Sequence, residues 1–137
     1  MVDIVYIPVT CGGDHWVACA VNFSDRHITV YDLSPSSHSD AAMKGHKRPL
    51  CQLLPRLIRH VGIYKARPEL GNNLQPFTFE QKTSDVPRQH PGSGDCGVFT
   101  CKFIELLGLG CSFDFGSDHG VMLRRKIALD LFVGMLL

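Results

Sequence analysis

Cys96, at the entrance of a predicted helix, is the residue whose type and position point most clearly to catalytic chemistry. Residues 87–99 read PRQHPGSGDCGVF, so Cys96 stands between a glycine-rich loop and an apolar run typical of a helix. Unpartnered backbone N–H groups and the positive end of the helix dipole favour a thiolate there. A thiolate is the attacking species in cysteine-dependent acyl transfer. The alternative is a small buried hydrophobic residue, which is the usual role of a free cysteine.

The loop around Cys96 contains groups that could support such an attack. Gly92, Gly94 and Gly97 leave room for the backbone of a substrate to approach. The backbone N–H of Cys96 could be one donor to an oxyanion, and the side-chain amide of Gln89 a second. The loop is therefore compatible with acyl transfer to the thiol.

His15 and Asp32 form a second pair with catalytic potential, in a predicted β-hairpin. Residues 15–23 and 27–33 are β-rich runs separated by the polar turn SDR. A turn centred on Ser24–Asp25 places His15 diagonal to Asp32 at the open end of the hairpin, with backbones roughly 7–8 Å apart. A carboxylate that accepts from one imidazole nitrogen fixes the tautomer and leaves the other nitrogen as a base. The alternative is a polar pair at a strand end near the surface.

Metal binding is a competing use of these thiols and imidazoles. The sequence has six cysteines but no C-x-x-C pair. Cys11, His15 and Cys19 lie four apart, in a stretch that resembles a turn entering a strand more than a zinc knuckle. Cys101 and Cys111 have no activating neighbours, so we expect them to be ordinary packing residues. We therefore expect no metal ion and no cofactor.

Composition and charge restrict the class of protein. The chain of 137 residues is 45% hydrophobic and 20% charged, which is typical of a globular domain, and we expect one domain spanning residues 1–137. A formal net charge of +1 produces no overall field toward nucleic acid or an acidic membrane, so we expect neither partner, and we expect a monomer. The N-terminus has no secretory signal pattern, so we expect a soluble intracellular chain with reduced thiols.

The elements that must position these residues follow from hydrophobic periodicity. Strands are predicted at 4–9, 15–23, 27–33 and 77–82. Helices are predicted at 49–64, 96–108 and 121–136. The order β-β-β-α-β-α-α indicates an α+β domain, with a small mixed sheet and a β-hairpin packed against helices and the cysteine at a helix N-terminus.

Local signals refine these helices. Pro55 predicts a kink or a late start in the first helix, and residues 34–45 before it are loop-like in composition. Asp95 is the expected N-cap of the second helix, with Gly108 near the end of that helix. Leu123, Ile127 and Leu131 form the predicted apolar stripe of the closing helix.

Three segments together resemble the ubiquitin-like-protein proteases, the SUMO/sentrin-specific cysteine peptidases related to adenovirus endopeptidase. These segments are DHWVACAVNF, ITVYDLSPS and PRQHPGSGDCGVFTCKFIELL. The family pattern is an H-W pair opening a strand, a D at the end of the next strand, and a Q-containing loop leading into D-C-G. The chain order His–Asp–Cys differs from the Cys–His–Asn order of papain-like enzymes. The resemblance extends over most of residues 4–136.

The resemblance implies an adenain-like cysteine-protease fold and a role for each candidate catalytic residue. Cys96 would be the nucleophile, His15 the general base and acid, and Asp32 the residue that orients His15. Gln89 would be the oxyanion donor. In the commonest family form this Gln lies six residues before the Cys, where this sequence has His90, so Gln89 requires one extra residue in the loop.

The resemblance also implies a substrate and a partner. Trp16 matches the Trp that covers the narrow channel for a Gly-Gly tail, and we assign Gly94 and Asp95 to substrate binding as well. Such an enzyme cleaves after the C-terminal diglycine of a SUMO-like modifier, from a precursor or a conjugate, in the nucleus or cytoplasm. Family domains carry further elements upstream, so we expect a shortened catalytic domain that is the C-terminal part of the family domain. The alternative is an inactive relic or a binding module for a ubiquitin-like protein.

Overall fold

The computed structural model describes residues 2–34, 40–82 and 84–134, and for residues 40–44, 46 and 47 it describes the backbone alone. The strands in these ranges are β1 Ile4–Cys11, β2 His15–Asn22, β3 His27–Tyr31 and β4 Thr78–Lys82. The α-helices are α1 Asp40–His60, α2 Ile63–Ala66, α3 Cys96–Leu109 and α4 Gly120–Val133. Short 3₁₀ turns occupy Pro68–Leu70 and Ser117–His119.

The four strands form one small mixed sheet in the order β1-β2-β3-β4, which confirms the predicted α+β class. β1, β2 and β3 are antiparallel neighbours, whereas β4 pairs with β3 in parallel. Cys19 pairs with Val30, so the predicted register of the β2–β3 hairpin is confirmed. Gly12 and Gly13, with φ of 68° and 90°, make the β1–β2 turn, where two successive left-handed residues favour glycine.

Strand β2 lies at the centre of the core because both of its faces are buried. One apolar cluster combines the inward positions of β2 and β3 with α1, α2 and Phe77; it comprises Cys11, Val17, Cys19, Val21, Ile28, Val30, Cys51, Ile58, Tyr64 and Phe77. The other combines Ala18 with residues of α3, α4 and the connecting loops; it comprises Ala18, Leu33, Val86, Phe99, Phe103, Leu106, Phe115 and Leu123. The candidate catalytic elements are therefore fixed by a two-sided core.

The first helix differs from its prediction. α1 begins at Asp40 within the segment expected to be a loop; residues 35–39 of that segment lie outside the described residues. Pro49 and Pro55 both lie inside α1, since burial of its apolar face against the sheet outweighs the local cost of proline. Gly62 has φ of 81° and separates α1 from α2, so the predicted 49–64 helix is split.

The last two helices largely follow the sequence pattern. α3 begins at Cys96 as predicted and ends at Leu109, one residue beyond the predicted range, with the left-handed Gly110 as its C-cap. Leu123 is buried, whereas Leu131 is 63% exposed, so the predicted apolar stripe of α4 is wrong at its last member. In the described part of the chain, no helix has the length and apolar character needed to cross a bilayer.

Two of the cysteines expected to pack in the interior are on the surface. Cys101 and Cys111 are both exposed, which contradicts the expectation that they are ordinary packing residues. Cys101 lies on the outer side of α3, because the inner side is taken by Phe99 and Phe103. Cys11, Cys19 and Cys51 are buried, as an apolar role for cysteine predicts.

Candidate active site

The mouth of the β2–β3 hairpin brings His15 and Asp32 into direct contact. His15 is the first residue of β2, and Asp32 directly follows β3. His15 Nε2 lies 2.7 Å from Asp32 Oδ1, and the two residues are only 6% and 1% exposed. Because a carboxylate accepts, Nε2 is the donor in this contact, so the lone pair of the neutral ring is on Nδ1. The geometry thus defines one tautomer of a buried imidazole.

Two further donors fix the Asp32 carboxylate. The backbone N–H of Ser34 donates to Oδ1 at 2.8 Å, and Gln81 Nε2 donates to Oδ2 at 3.1 Å. Gln81 lies on β4, where the parallel register pairs it with Val30. Sequence reasoning missed Gln81, since nothing in the alternating run 77–82 indicates which strand it pairs with. The carboxylate is therefore oriented from both of its oxygens.

Cys96 is the first residue of α3 and is largely buried. Asp95 precedes it at the N-cap position, as predicted, but its side chain makes no capping hydrogen bond, which corrects the predicted N-cap. Instead Asp95 Oδ1 accepts from Nε of Arg124 on α4 at 2.8 Å. Arg124 Nη2 also donates to the Gly94 carbonyl at 3.0 Å. The loop before Cys96 is thus held by α4.

A cleft of about 520 Å³ lies against Cys96. Asp14 and Trp16, the two residues that flank His15 in the chain, line this cleft together with Gly94 and Cys96. Trp16 is 42% exposed, and its Cδ1 atom lies 3.8 Å from the position of a Cβ on Gly97. The hairpin mouth and the entrance of α3 therefore form walls of one cleft, with the Trp16 ring beside the first turn of the helix.

Gln89 is placed differently from the other candidate residues. Its backbone N–H donates to the carbonyl of Leu33 at 3.2 Å, which attaches the loop one residue beyond Asp32. Its side-chain Oε1 is buried with no hydrogen-bond partner among the described residues. Gln89 is not among the residues that line the cleft at Cys96. The structure thus joins His15 to Asp32 directly and brings Trp16 and Gly94 to the cleft at Cys96.

Metal binding is the other use that these thiols, imidazoles and carboxylates could have. In residues 2–34, 40–82 and 84–134, no group of three or more His, Cys, Asp or Glu side chains is arranged to hold a metal ion. Cys11 and His15 pair across β1 and β2, while Cys19 pairs with Ile7 further along the same two strands. The site offers a thiol at a helix N-terminus, in a cleft lined by the two chain neighbours of an imidazole that a carboxylate orients, and these groups suit nucleophilic acyl transfer.

Comparison with known proteins matches the chain to a protein family. Residues 1–133 match the C-terminal catalytic domain of the Ulp1 protease family. The chain belongs to this family. A sentrin-specific protease of Caenorhabditis elegans is 31% identical over 130 residues, which cover 94% of this chain and 16% of that protein. Sentrin-specific protease 2 of Mus musculus is 28% identical over 123 residues, covering 90% of this chain and 19% of that protein.

A solved structure of the Ulp1 family has the same fold. The C-terminal Ulp1 protease domain in complex with Smt3, the yeast ortholog of SUMO, superposes with a TM-score of 0.64 at 17% identity. The match covers 99% of this chain and 55% of that one. The chain therefore spans about half of the Ulp1 domain and less than a quarter of these curated relatives.

Proposed function

We propose that this chain is a cysteine peptidase that cleaves after the C-terminal Gly-Gly of a SUMO-like modifier. The observation that carries the proposal is the buried 2.7 Å contact between His15 and Asp32, at a hairpin mouth whose neighbouring residues share a cleft with Cys96. Membership of the Ulp1 protease family supports the reaction class. Cys96 is the nucleophile, His15 the base and then the acid, and Asp32 the residue that orients the imidazole.

The reaction proceeds in two acyl-transfer steps. His15 Nδ1 takes the proton of the Cys96 thiol, and the sulfur attacks the carbonyl carbon of the terminal glycine. The oxyanion accepts from the backbone N–H of Cys96. A second donation, from the Gln89 side-chain amide, stays a prediction because Gln89 does not line the cleft at Cys96. The imidazolium then protonates the leaving amine, which departs and leaves a thioester. Water, deprotonated by His15, attacks the thioester and releases the modifier carboxylate and the thiol.

Substrate selection rests on the shape of the cleft. The Trp16 ring lies beside the first turn of α3, and Gly94 and Gly97 present backbone without side chains there. A diglycine tail is the acyl donor narrow enough to pass such a surface, because it carries no side chain. The structural similarity to a Ulp1 domain solved with Smt3 supports a SUMO-like partner. A monomeric state, the lack of a nucleic-acid partner and a nuclear or cytoplasmic location stay predictions.

The test is a SUMO-like protein whose C-terminal diglycine carries an electrophile. The folded chain is expected to form a one-to-one adduct at Cys96 and to hydrolyse a fluorogenic diglycine amide of the same modifier. Cys96→Ser should abolish both, whereas Cys101→Ser, at the exposed cysteine of the same cleft, should retain both. Binding of the modifier without adduct or turnover, unchanged by Cys96→Ser, would refute the peptidase and support a binding module instead.

A further inference from the structure

We propose that Arg124 is a positioning residue for the nucleophile, because it holds the Asp95 carboxylate away from the first turn of α3. The backbone N–H groups of that turn are thereby kept for the Cys96 thiolate and for the oxyanion. The role of Cys96 in this inference rests on the proposed function. Arg124 would act through Asp95 and the loop, without touching the reacting atoms.

The side chain of Arg124 joins α4 to the two residues that precede Cys96. Its Nε and Nη2 lie 2.8 and 2.7 Å from Asp95 Oδ1, and its Nη2 lies 3.0 Å from the Gly94 carbonyl oxygen. A planar guanidinium that contacts a carboxylate and a carbonyl at once fixes direction as well as distance. Both contacts join residues about thirty positions apart in the chain, so they are tertiary contacts.

A second feature of α4 fixes the same carboxylate. Gly120, one turn before Arg124, lies so close that a Cβ on it would be 2.5 Å from Asp95 Oδ2 and 2.7 Å from Asp95 Cγ. The carboxylate therefore packs directly on the backbone at the start of α4. Gly120 and Arg124, spaced i and i+4 on α4, together hold Asp95: Gly120 leaves space for its carboxylate, and Arg124 pairs with it.

These contacts matter because an aspartate directly before a helix has a different preferred set of hydrogen-bond donors. Aspartate at an N-cap usually accepts from the N–H groups of the first helical turn. In this protein Asp95 makes no such bond, and the N-cap backbone has φ of −91° and ψ of 3° rather than the extended conformation. A capping carboxylate would occupy the donors that a thiolate or oxyanion needs and would place an anion beside the sulfur.

The charges around Cys96 show why this choice affects reactivity. The charged side chains lining the cleft are Asp14 from the β1–β2 turn and Arg124 from α4, with Asp95 in the loop between them and the helix. His15 and Asp32 pair with each other at the hairpin mouth and are not among the residues that line the cleft. Arg124 is thus the cation of the cleft wall, and it neutralises the carboxylate nearest to Cys96 in the chain.

The experiment follows the alkylation of Cys96 by iodoacetamide as a function of pH, quantified on the Cys96 peptide by mass spectrometry. Arg124→Gln is expected to raise the pH midpoint by about half a unit to one unit, the size of one added anion a few ångströms from the sulfur in a solvent-exposed cleft. Alkylation of Cys111, which is exposed and does not line this cleft, is the internal reference. Arg125→Gln is the matched control, because it removes the same charge one position along α4, from an exposed residue.

A double substitution identifies the cause. Adding Asp95→Asn to Arg124→Gln removes the unpaired Asp95 carboxylate and should reverse most of the rise in the pH midpoint of Cys96 alkylation. A shift equal to that of Arg125→Gln, or one that persists unchanged with Asp95→Asn, would overturn the proposal. If Arg124→Gln does not fold, Arg124→Lys retains the charge, but its single donor group cannot hold Asp95 and Gly94 together, so a smaller rise of the midpoint is expected. An unshifted midpoint in Arg124→Lys would likewise overturn the proposal.

The readout is independent of the modifier. Iodoacetamide reacts with the thiolate whether or not a SUMO-like protein is cleaved. A chain that shows the Arg124-dependent shift but forms no diglycine adduct would refute the proposed peptidase while supporting the positioning role. A chain that forms the adduct but shows no Arg124-dependent shift would support the proposed peptidase and refute the positioning role of Arg124.

Discussion

A methyl group on Gly120 is expected to destabilise the protein, opposite to the usual effect of alanine in a helix. Glycine to alanine in a helix commonly gains up to about 1 kcal/mol. Gly120 has helical φ and ψ of −52° and −48°, so the backbone itself accepts alanine. The Cβ would, however, lie 2.5 Å from Asp95 Oδ2, well inside contact distance. Either the carboxylate or the start of α4 must move.

The magnitude follows from what that movement costs. The Asp95 side chain is 14% exposed and that of Arg124 51% exposed, so solvent screens their ion pair and its loss costs about 0.5–1 kcal/mol. Overpacking at a tight contact costs about 1–3 kcal/mol. After the helix gain is subtracted, Gly120→Ala should lower the free energy of unfolding by about 1–2 kcal/mol. For a chain of this length the melting temperature should fall by about 3–8 °C.

Urea unfolding followed by far-UV circular dichroism measures this effect, with Gly108→Ala as the matched control. Gly108 lies within α3, and a Cβ there meets nothing within 4 Å, so alanine should raise the free energy of unfolding by about 0.5–1 kcal/mol. In an Asp95→Ala background the cost of Gly120→Ala should largely vanish. A Gly120→Ala protein as stable as the unmodified chain, with Gly108→Ala stabilised, would refute the packing of Asp95 on Gly120.

Two further predictions concern the hydrogen bonds of the Asp32 carboxylate and the half-buried phenol of Tyr31. Gln81→Leu should lower kcat for a diglycine substrate about 5- to 30-fold, with KM and melting temperature little changed, because Asp32 Oδ2 loses its hydrogen-bond donor. Substitution of the exposed neighbour, Lys82→Gln, is the control. An unchanged kcat in Gln81→Leu would contradict this role. Burial raises the pKa of Tyr31 above its ordinary 10.0, assisted by the charges of Tyr6 and Glu80. The folded state then holds more protons than the unfolded state above pH 10, so stability should fall as pH rises through the folded pKa. Urea midpoints from pH 9 to 11 measure this fall, and a slope unaffected by Tyr31→Phe would exclude Tyr31 as its cause.

The hairpin could be predicted from the sequence because its geometry is local. Side chains two apart share a face, and a turn centred on Ser24–Asp25 places Cys19 opposite Val30 and brings the two apolar stripes to one face. This reasoning paired Cys19 with Val30 and placed Asp32 within reach of His15, and the structure has both features. The start of α3 at Cys96 was also local, because the apolar run begins directly after a glycine-rich loop.

The features that could not be predicted depend on contacts between distant parts of the chain. Gln81 reaches Asp32 only because β4 joins the sheet in parallel, which an alternating run does not specify. Asp95 fitted a local capping rule, but a helix 29 residues further along competes for its carboxylate. The length of α1 across Pro49 and Pro55 likewise reflects packing against the sheet. In each case tertiary energy outweighed a local preference.

Packing in the core, more than the chain between them, positions the His15–Asp32 pair relative to Cys96. His15 begins β2, and Ala18 of that strand packs in the same cluster as Phe99 of α3, one turn after Cys96. The separation of imidazole and thiol is therefore set by buried contacts that are strong and cooperative. Arg124 and Gly120 act on a different quantity, the orientation of the loop directly before the thiol. Core substitutions should consequently alter stability and reaction rate together, whereas substitutions of Arg124 should alter mainly the pH at which Cys96 reacts.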